Sequence, residues 1–289
     1  HKLGGSRPGQ QAATAAMAAS GSPAPASRCE GLRDHPGSAA AVALSPAAAP
    51  TPEARAPRDL SREHAPVSDF IALSGDEWPI SAAMWEKHKL SEAQLEAYEA
   101  DGFLDAIPCL CPAQLERLRG DLVELSDPDH PANALWHEFH SNEAPAESGT
   151  VLMHALGAWR ISEAFHDLLF HPALLVPAIQ AMGLCDTRGV RLLHDQLFCK
   201  PARAGAVVAW HQDLSYWTRF SPSAFLTVHV ALDDQSSENG ALHYVAGSHR
   251  WPLLPVTSRH FGDMESIRSV LDREQAAQLD ACRCVCLLS

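Results

Sequence analysis

The chain has 289 residues and a formal net charge of -13 at pH 7, and no cluster of Lys and Arg interrupts that acidity. Binding to a nucleic acid by counterion release needs such a cluster, so the charge excludes a nucleic-acid surface. No stretch is apolar and long enough to serve as a transmembrane segment.

Residues 1–65 are dominated by Ala, Pro, Ser and Gly, with almost no large apolar side chain between Leu3 and Leu60. Such a segment cannot bury a core and is expected to be disordered. The chain starts at His1 and its first methionine is Met17, which reads as a fragment, a processed product or an incomplete gene record. Arg28, Arg33, Arg55 and Arg58 among small residues allow an organelle transit peptide, although disorder is the preferred reading. The cysteines, Cys29, Cys109, Cys111, Cys185, Cys199, Cys282, Cys284 and Cys286, match no zinc or disulfide spacing. A reducing, cytoplasmic compartment is the default that follows.

A folded domain is expected over residues 66–281, with order beginning near Asp69. The first clear helix is Glu92 to Ala100, with Ser91 and Gln94 in capping-box positions and Gly102 beyond its end. A short strand, Phe103 to Ile107, is expected next. Pro112 suits a first helical position, and Leu115, Leu118, Leu122 and Leu125 form the apolar stripe of a helix stopped by Asp127-Pro128. Cys109 and Cys111 flank that start and read as packing residues. A helical pair follows over Ser162 to Met182, interrupted at His171-Pro172.

After Gly183 the pattern becomes β-rich. Val190 to Lys200, Val207 to Trp210, Phe225 to Leu232 and Ala241 to Val245 are expected strands, separated by Gly, Pro, Ser and Asp turns. Helices followed by antiparallel strands indicate an α+β domain with a sandwich or jelly-roll core. Alternation places His194, Gln196, Phe198 and Lys200 on one face, and sets Thr227 and His229 against Leu226, Val228 and Val230. Polar groups recurring on one face suggest a lined cavity. Within Trp210-His211-Gln212-Asp213, extended backbone puts the His211 imidazole and the Asp213 carboxylate on the same side. Alone, such a triplet also fits a surface histidine beside a solvated aspartate.

The stretches Gln196–Lys200, Trp210–Asp213, Tyr216-Trp217, Ala231–Asp234 and Glu238–Trp251 occur in one order. Together they resemble the phytanoyl-CoA dioxygenase family of Fe(II)- and 2-oxoglutarate-dependent oxygenases, with the similarity running from Leu90 to Leu279. The resemblance implies a double-stranded β-helix (jelly roll, cupin-like) behind N-terminal helices. It also implies hydroxylation of an aliphatic carbon in a small organic or acyl substrate, with Fe(II) as metal and 2-oxoglutarate and O2 as co-substrates. His211 and Asp213 are then two ligands of a 2-His-1-carboxylate iron site. Lys200 matches a lysine that reaches the 2-oxoglutarate carboxylate, its other reading being a strand-end lysine pointing into water. Gln196 matches a position lining the co-substrate pocket, and equally suits a core amide satisfied by backbone. His229 stands where many relatives carry tryptophan beside the co-substrate. His249, His243 and His260 are read as bracing residues and not as ligands.

The family's third ligand, a histidine, and the arginine that pairs with the distal 2-oxoglutarate carboxylate are not found in this sequence. The resemblance therefore implies a C-terminally truncated chain, an incomplete core and little or no turnover. The alternative is a non-catalytic binding or scaffold form of the same domain. Cys286-Leu-Leu-Ser289 has the form of a prenylation box, with Cys282 and Cys284 available for palmitoylation, so that form would be membrane-anchored. Against it stands the reading of residues 282–289 as an arbitrary Cys-rich tail.

Overall fold

A computed structural model describes residues 18–20, 57–127, 129–144, 148–184, 189–217, 225–257 and 262–285. Cys29, Cys185, His260, the first three of the four arginines and the Cys286–Ser289 box lie outside these residues. The architecture is α+β, with helices concentrated before residue 185 and two small antiparallel sheets.

Local capping sets the helical part. Helix α1, Ala82–His88, starts on Ser81, whose hydroxyl accepts the Met84 N–H. Helix α2, Glu92–Asp101, has the full Ser91/Gln94 capping box and ends on left-handed Gly102. Helix α3, Pro112–Leu125, opens with Pro112, and the Gln114 side chain accepts the Cys111 N–H at 3.0 Å. Helices α4, Glu163–Leu168, and α5, Pro172–Ala181, are separated where expected, with Ser162 and His171 as N-caps. Helix α6, Arg273–Asp280, starts on Asp272, whose side chain accepts the Gln275 N–H.

The main core forms where α3 and α4 meet, from Phe70, Leu118, Leu125, Ala158, Ala164 and Phe165. Asp167 is buried beneath it and accepts the backbone N–H groups of Val67 and Ser68 at 2.7 and 2.8 Å. Those hydrogen bonds, His166 and the Ser68 hydroxyl hold its carboxyl below the usual carboxylate range despite the opposing cost of burial. Order reaches upstream of the expected start near Asp69. Leu60 is fully buried, and Asp59 pairs with Arg160 at 2.5 Å, so both an apolar and an ionic contact tie residues 57–65 down.

Sheet formation differs from the pattern in several places. The first sheet joins β2 (Glu138–His140), β3 (Met153–Leu156) and β4 (Leu197–Cys199). The second joins β1 (Ala18–Ser20), β5 (Leu242–Tyr244) and β6 (Arg283–Cys284) in the order β1-β5-β6. Of the expected strands, Val190–Lys200 pairs in a ladder only near its C-terminal end, at Leu197–Cys199, and Ala241–Val245 only at its centre, Leu242–Tyr244. Residues 207–210 and 225–232 run without helix or ladder, since β-rich alternation makes a strand only when a partner lies alongside. Phe103–Ile107 is not a strand either: Ala106 has φ 53°, which breaks the extended repeat, while Phe103 stacks on Tyr244 at 4.7 Å.

Both expected chain ends contribute to the second sheet. Backbone at Ala18–Ser20 pairs with Leu242–Tyr244, inside the segment expected to be disordered. Residues 283 and 284 pair with β5, the Val285 N–H donates to Leu242 O at 2.8 Å, and Val285 packs on Phe103.

One layering matters for the site. Met153, Ala155 and Cys199 face α3 through Leu122, with Trp136 and Leu197 beside them. The alternate residues of the same strands, His154 and Phe198, consequently look away from α3.

Candidate functional site

His211 and Asp213 come together, although not on a strand. Gln212 is extended, with φ -105° and ψ 129°, and Asp213 opens a 3-10 turn, Asp213–Ser215. One extended residue is enough to bring positions i and i+2 to the same side. Nε2 of His211 lies 3.3 Å from Oδ1 of Asp213, and both side chains are about four-fifths buried, with exposures of 22% and 21%.

The far side of each group is pinned. Nδ1 of His211 sits 2.8 Å from the Ala209 carbonyl, which can only accept, so Nδ1 carries the ring hydrogen and Nε2 presents a lone pair when the ring is neutral. The Thr227 hydroxyl donates to Oδ2 of Asp213 at 2.7 Å, leaving Oδ1 to face the imidazole. Burial acts against charge on both groups. Their mutual hydrogen bond and attraction outweigh it, so the imidazole is raised above and the carboxyl held below its ordinary range. Tyr216 meets the His211 ring edge-on at 5.5 Å. The Gln212 side chain turns the other way, accepting the Leu254 N–H at 2.8 Å and fixing the segment against the Val245, Leu254 and Ile267 core.

The other expected site residues fall into two neighbouring groups. Gln196 lies 3.2 Å from His194 Nε2, and the His194 ring meets Trp217 at 4.8 Å. His194 is close enough for its charge to act on Asp213. Asp195 secures this lead-in by accepting the N–H groups of Gly157 and Trp159 at 2.7 and 2.9 Å. Lys200 is in the second group. Its Nζ is buried with no hydrogen-bond partner among the described residues, and burial lowers its pKa to about 8. Glycines make room for it: a Cβ on Gly205 would lie 3.0 Å from Lys200 Cβ, and one on Gly240 would lie 3.5 Å from Nζ. His229 Nε2 bonds to Gln235 Oε1 at 3.0 Å. Desolvation, partly offset by that bond and reinforced by the Lys200 charge, holds His229 below the ordinary imidazole value. Thr227 and His229 stand two residues apart on one segment, so it touches the Asp213 group at one position and reaches the Lys200 group at the next.

His249 lies away from these groups, with Nε2 3.2 Å from the Glu99 carbonyl at the end of α2. His243 Nδ1 is 3.9 Å from Cys282 Sγ. Among the described residues no three His, Cys, Asp or Glu side chains converge on one point. Thr227 as the partner of Asp213 was not apparent in the sequence, and its β-branched hydroxyl opposite Leu226 was the one available signal.

The pair offers two of the donor types of a 2-His-1-carboxylate site: one imidazole with its distal N–H on a carbonyl, and one carboxylate with its second oxygen held by a hydroxyl.

Comparison with known proteins agrees with this chemistry. L-proline trans-4-hydroxylase of Streptomyces griseoviridis is 28% identical over 167 residues, 56% of this chain and 56% of that protein. A probable alpha-ketoglutarate-dependent hypophosphite dioxygenase of Stutzerimonas stutzeri is 38% identical over 61 residues, 21% of each chain. The chain thus spans about half the length of the first relative and less of the second. No helix among the described residues is long and apolar enough to cross a membrane. The sequence pattern of the phytanoyl-CoA dioxygenase (PhyH) family covers residues 98–280, and the chain belongs to that family of 2-oxoglutarate-dependent oxygenases.

Proposed function

We propose that this chain carries the metal- and co-substrate-binding elements of an Fe(II)- and 2-oxoglutarate-dependent dioxygenase that hydroxylates an aliphatic carbon of a small molecule. The observation that carries the reading is the 3.3 Å approach of His211 Nε2 to Asp213 Oδ1, with each group's other polar atom already engaged. His211 and Asp213 would hold the iron, which with 2-oxoglutarate and O2 supplies the oxidising power when bound. The protein's own part is to fix the imidazole tautomer through Ala209, aim the carboxylate through Thr227, and neutralise a co-substrate carboxylate at Lys200 Nζ. Gln196 and His229 line the approach, Gln196 by way of His194 and His229 beside Lys200. The two three-stranded sheets are read as portions of a double-stranded β-helix.

Two ligands hold ferrous iron less well than three, and the described residues bring no third donor to the pair. These 289 residues are accordingly expected to bind metal weakly and turn over little 2-oxoglutarate. The same observation favours a second reading, a non-catalytic binding form of the domain. Its lipid-anchored version depends on Cys286, which lies outside the described residues.

Binding of 2-oxoglutarate in the presence of Mn(II) tests the proposal. Affinity should fall at least about tenfold in His211→Ala, Asp213→Ala and Lys200→Met. Affinity unchanged in all three would remove the reading. Succinate release with added Fe(II) at rates ordinary for enzymes, about 1 per second or more, would overturn the expectation of weak turnover.

A further inference from the structure

The face of the first sheet that looks away from α3 carries a ladder of rings. His140, His154 and Phe198 are cross-strand partners in register. The His140 and His154 rings stack with centroids 6.0 Å apart, and His154 lies on Phe198 at 4.5 Å with planes only 6° apart. His154 is 9% exposed, and its Nδ1 is 3.0 Å from Oε2 of Glu143, itself mostly buried. A carboxylate only accepts, so Nδ1 holds the ring hydrogen and Nε2 of the neutral ring is an acceptor. That Nε2 has no partner among the described residues, and a buried acceptor left unpaired is unfavourable. Two carboxylates gather on the ladder, Glu138 Oε2 and Glu143 Oε1 both lying 3.6 Å from His140 Nε2. The ladder continues the segment that leads toward the candidate metal pair: Phe198 stands two residues after Gln196, whose side chain lies 3.2 Å from His194 Nε2.

We propose that this ladder recognises the substrate through a protonated amine, whose N–H donates to His154 Nε2 while Glu143 supplies the opposing charge. The inference rests on the oxygenase reading, because it names the substrate class for that site. Flat rings of His140 and Phe198 receive the carbon skeleton on either side of His154. An anionic head group is mismatched here, since Nε2 in this tautomer has no hydrogen to give and Glu138 and Glu143 repel negative charge. Among the described residues no three His, Cys, Asp or Glu are placed to hold a metal ion, so the free lone pair suits a hydrogen-bond donor better than a metal.

Ligand-observed NMR titration of the 289-residue chain without metal, using cyclopentylamine, cyclopentanol and cyclopentanecarboxylate, varies the head group on one ring skeleton. Cyclopentylamine should bind at least about tenfold more tightly than cyclopentanecarboxylate. Its affinity should fall about fivefold or more in Glu143→Gln and in His154→Phe. Should His154→Phe fail to fold, Glu143→Gln alone decides, because it removes the charge without changing volume. Equal or tighter binding of the carboxylate, no binding of the amine, or amine binding indifferent to Glu143→Gln would overturn the proposal. Failure of the oxygenase reading looks different: Mn(II)-dependent 2-oxoglutarate binding would ignore His211 and Asp213 while the head-group preference persisted.

Discussion

The Thr227 hydroxyl donates to Oδ2 of Asp213 at 2.7 Å, which leaves Oδ1 as the oxygen that faces His211. Thr227 reaches Asp213 from 14 positions along the chain, on a segment that belongs to no ladder. Outer hydrogen bonds of this kind orient ligands and typically govern about 10–100-fold in metal affinity. Thr227→Val keeps the shape and removes the donor, so Mn(II) affinity should drop about tenfold with thermal stability nearly unchanged. Calorimetric titration of the variant checks this, and an unchanged affinity would mean that the carboxylate is oriented otherwise.

Lys200 gives the co-substrate site a pH dependence. Its ammonium is buried and unpartnered among the described residues, with a pKa lowered to about 8. The charged form attracts a carboxylate, so 2-oxoglutarate affinity should decline as pH rises from 7 to 9, and Lys200→Met should bind weakly at every pH. Titrations across that range check the slope, and a flat wild-type profile would contradict it.

Acid should destabilise the helical part in two steps. His171 is fully buried among Gln114, Ser74 and Asp76, and burial, against the attraction of Asp76, lowers its pKa from 6.5 to about 4. Above pH 6.5 the ring is neutral whether folded or not. Below it the unfolded chain takes the proton first, and stability is lost down to about pH 4, on the order of 3 kcal/mol in all. Asp76 behaves as a carboxylate with lowered pKa. Burial works against the charge, but Lys87, His88 and the Ser74 hydroxyl prevail and hold it at about 2, so its contribution is present above pH 3.8 and disappears below. Urea denaturation at pH 7.5, 5.5 and 4.5 should show the first step, and His171→Asn, which retains an N-cap oxygen, should lack it.

Gly102 ends α2 with φ +83° and packs directly beneath the His249 ring, where an added Cβ would collide with the ring. Gly102→Ala combines the left-handed penalty with displacement of His249 and should cost more than about 1 kcal/mol. Thermal denaturation of Gly102→Ala alone and together with His249→Ala checks this: the double variant should recover part of the loss.

Helix boundaries were legible because their causes are local. Ser91 with Gln94, Pro112, and His171-Pro172 each act within one turn, and α2, α3 and the α4–α5 break lie where those residues put them. Strand pairing was not, because a ladder depends on what arrives alongside. Val207–Trp210 and Phe225–Leu232 have strand-like patterns without ladders, whereas Arg283–Cys284 pairs despite its Cys-rich context. The His211 and Asp213 approach was readable from a spacing of two residues. The Glu143–His154 pair was hidden, since Glu143 lies beyond β2 and meets a residue 11 positions on only once β2 and β3 have paired, and a histidine inside Met153-His-Ala-Leu156 reads as core.

The central claim is that His211 and Asp213 form the metal-binding pair. Co(II) titration of the 289-residue chain, followed through assigned histidine-ring NMR signals, tests it most directly. The account predicts that His211 shifts first, that the Tyr216 ring 5.5 Å away follows, and that Asp213→Ala abolishes both changes. Early shifts at His140, His154 or His249 with His211 unmoved would contradict it.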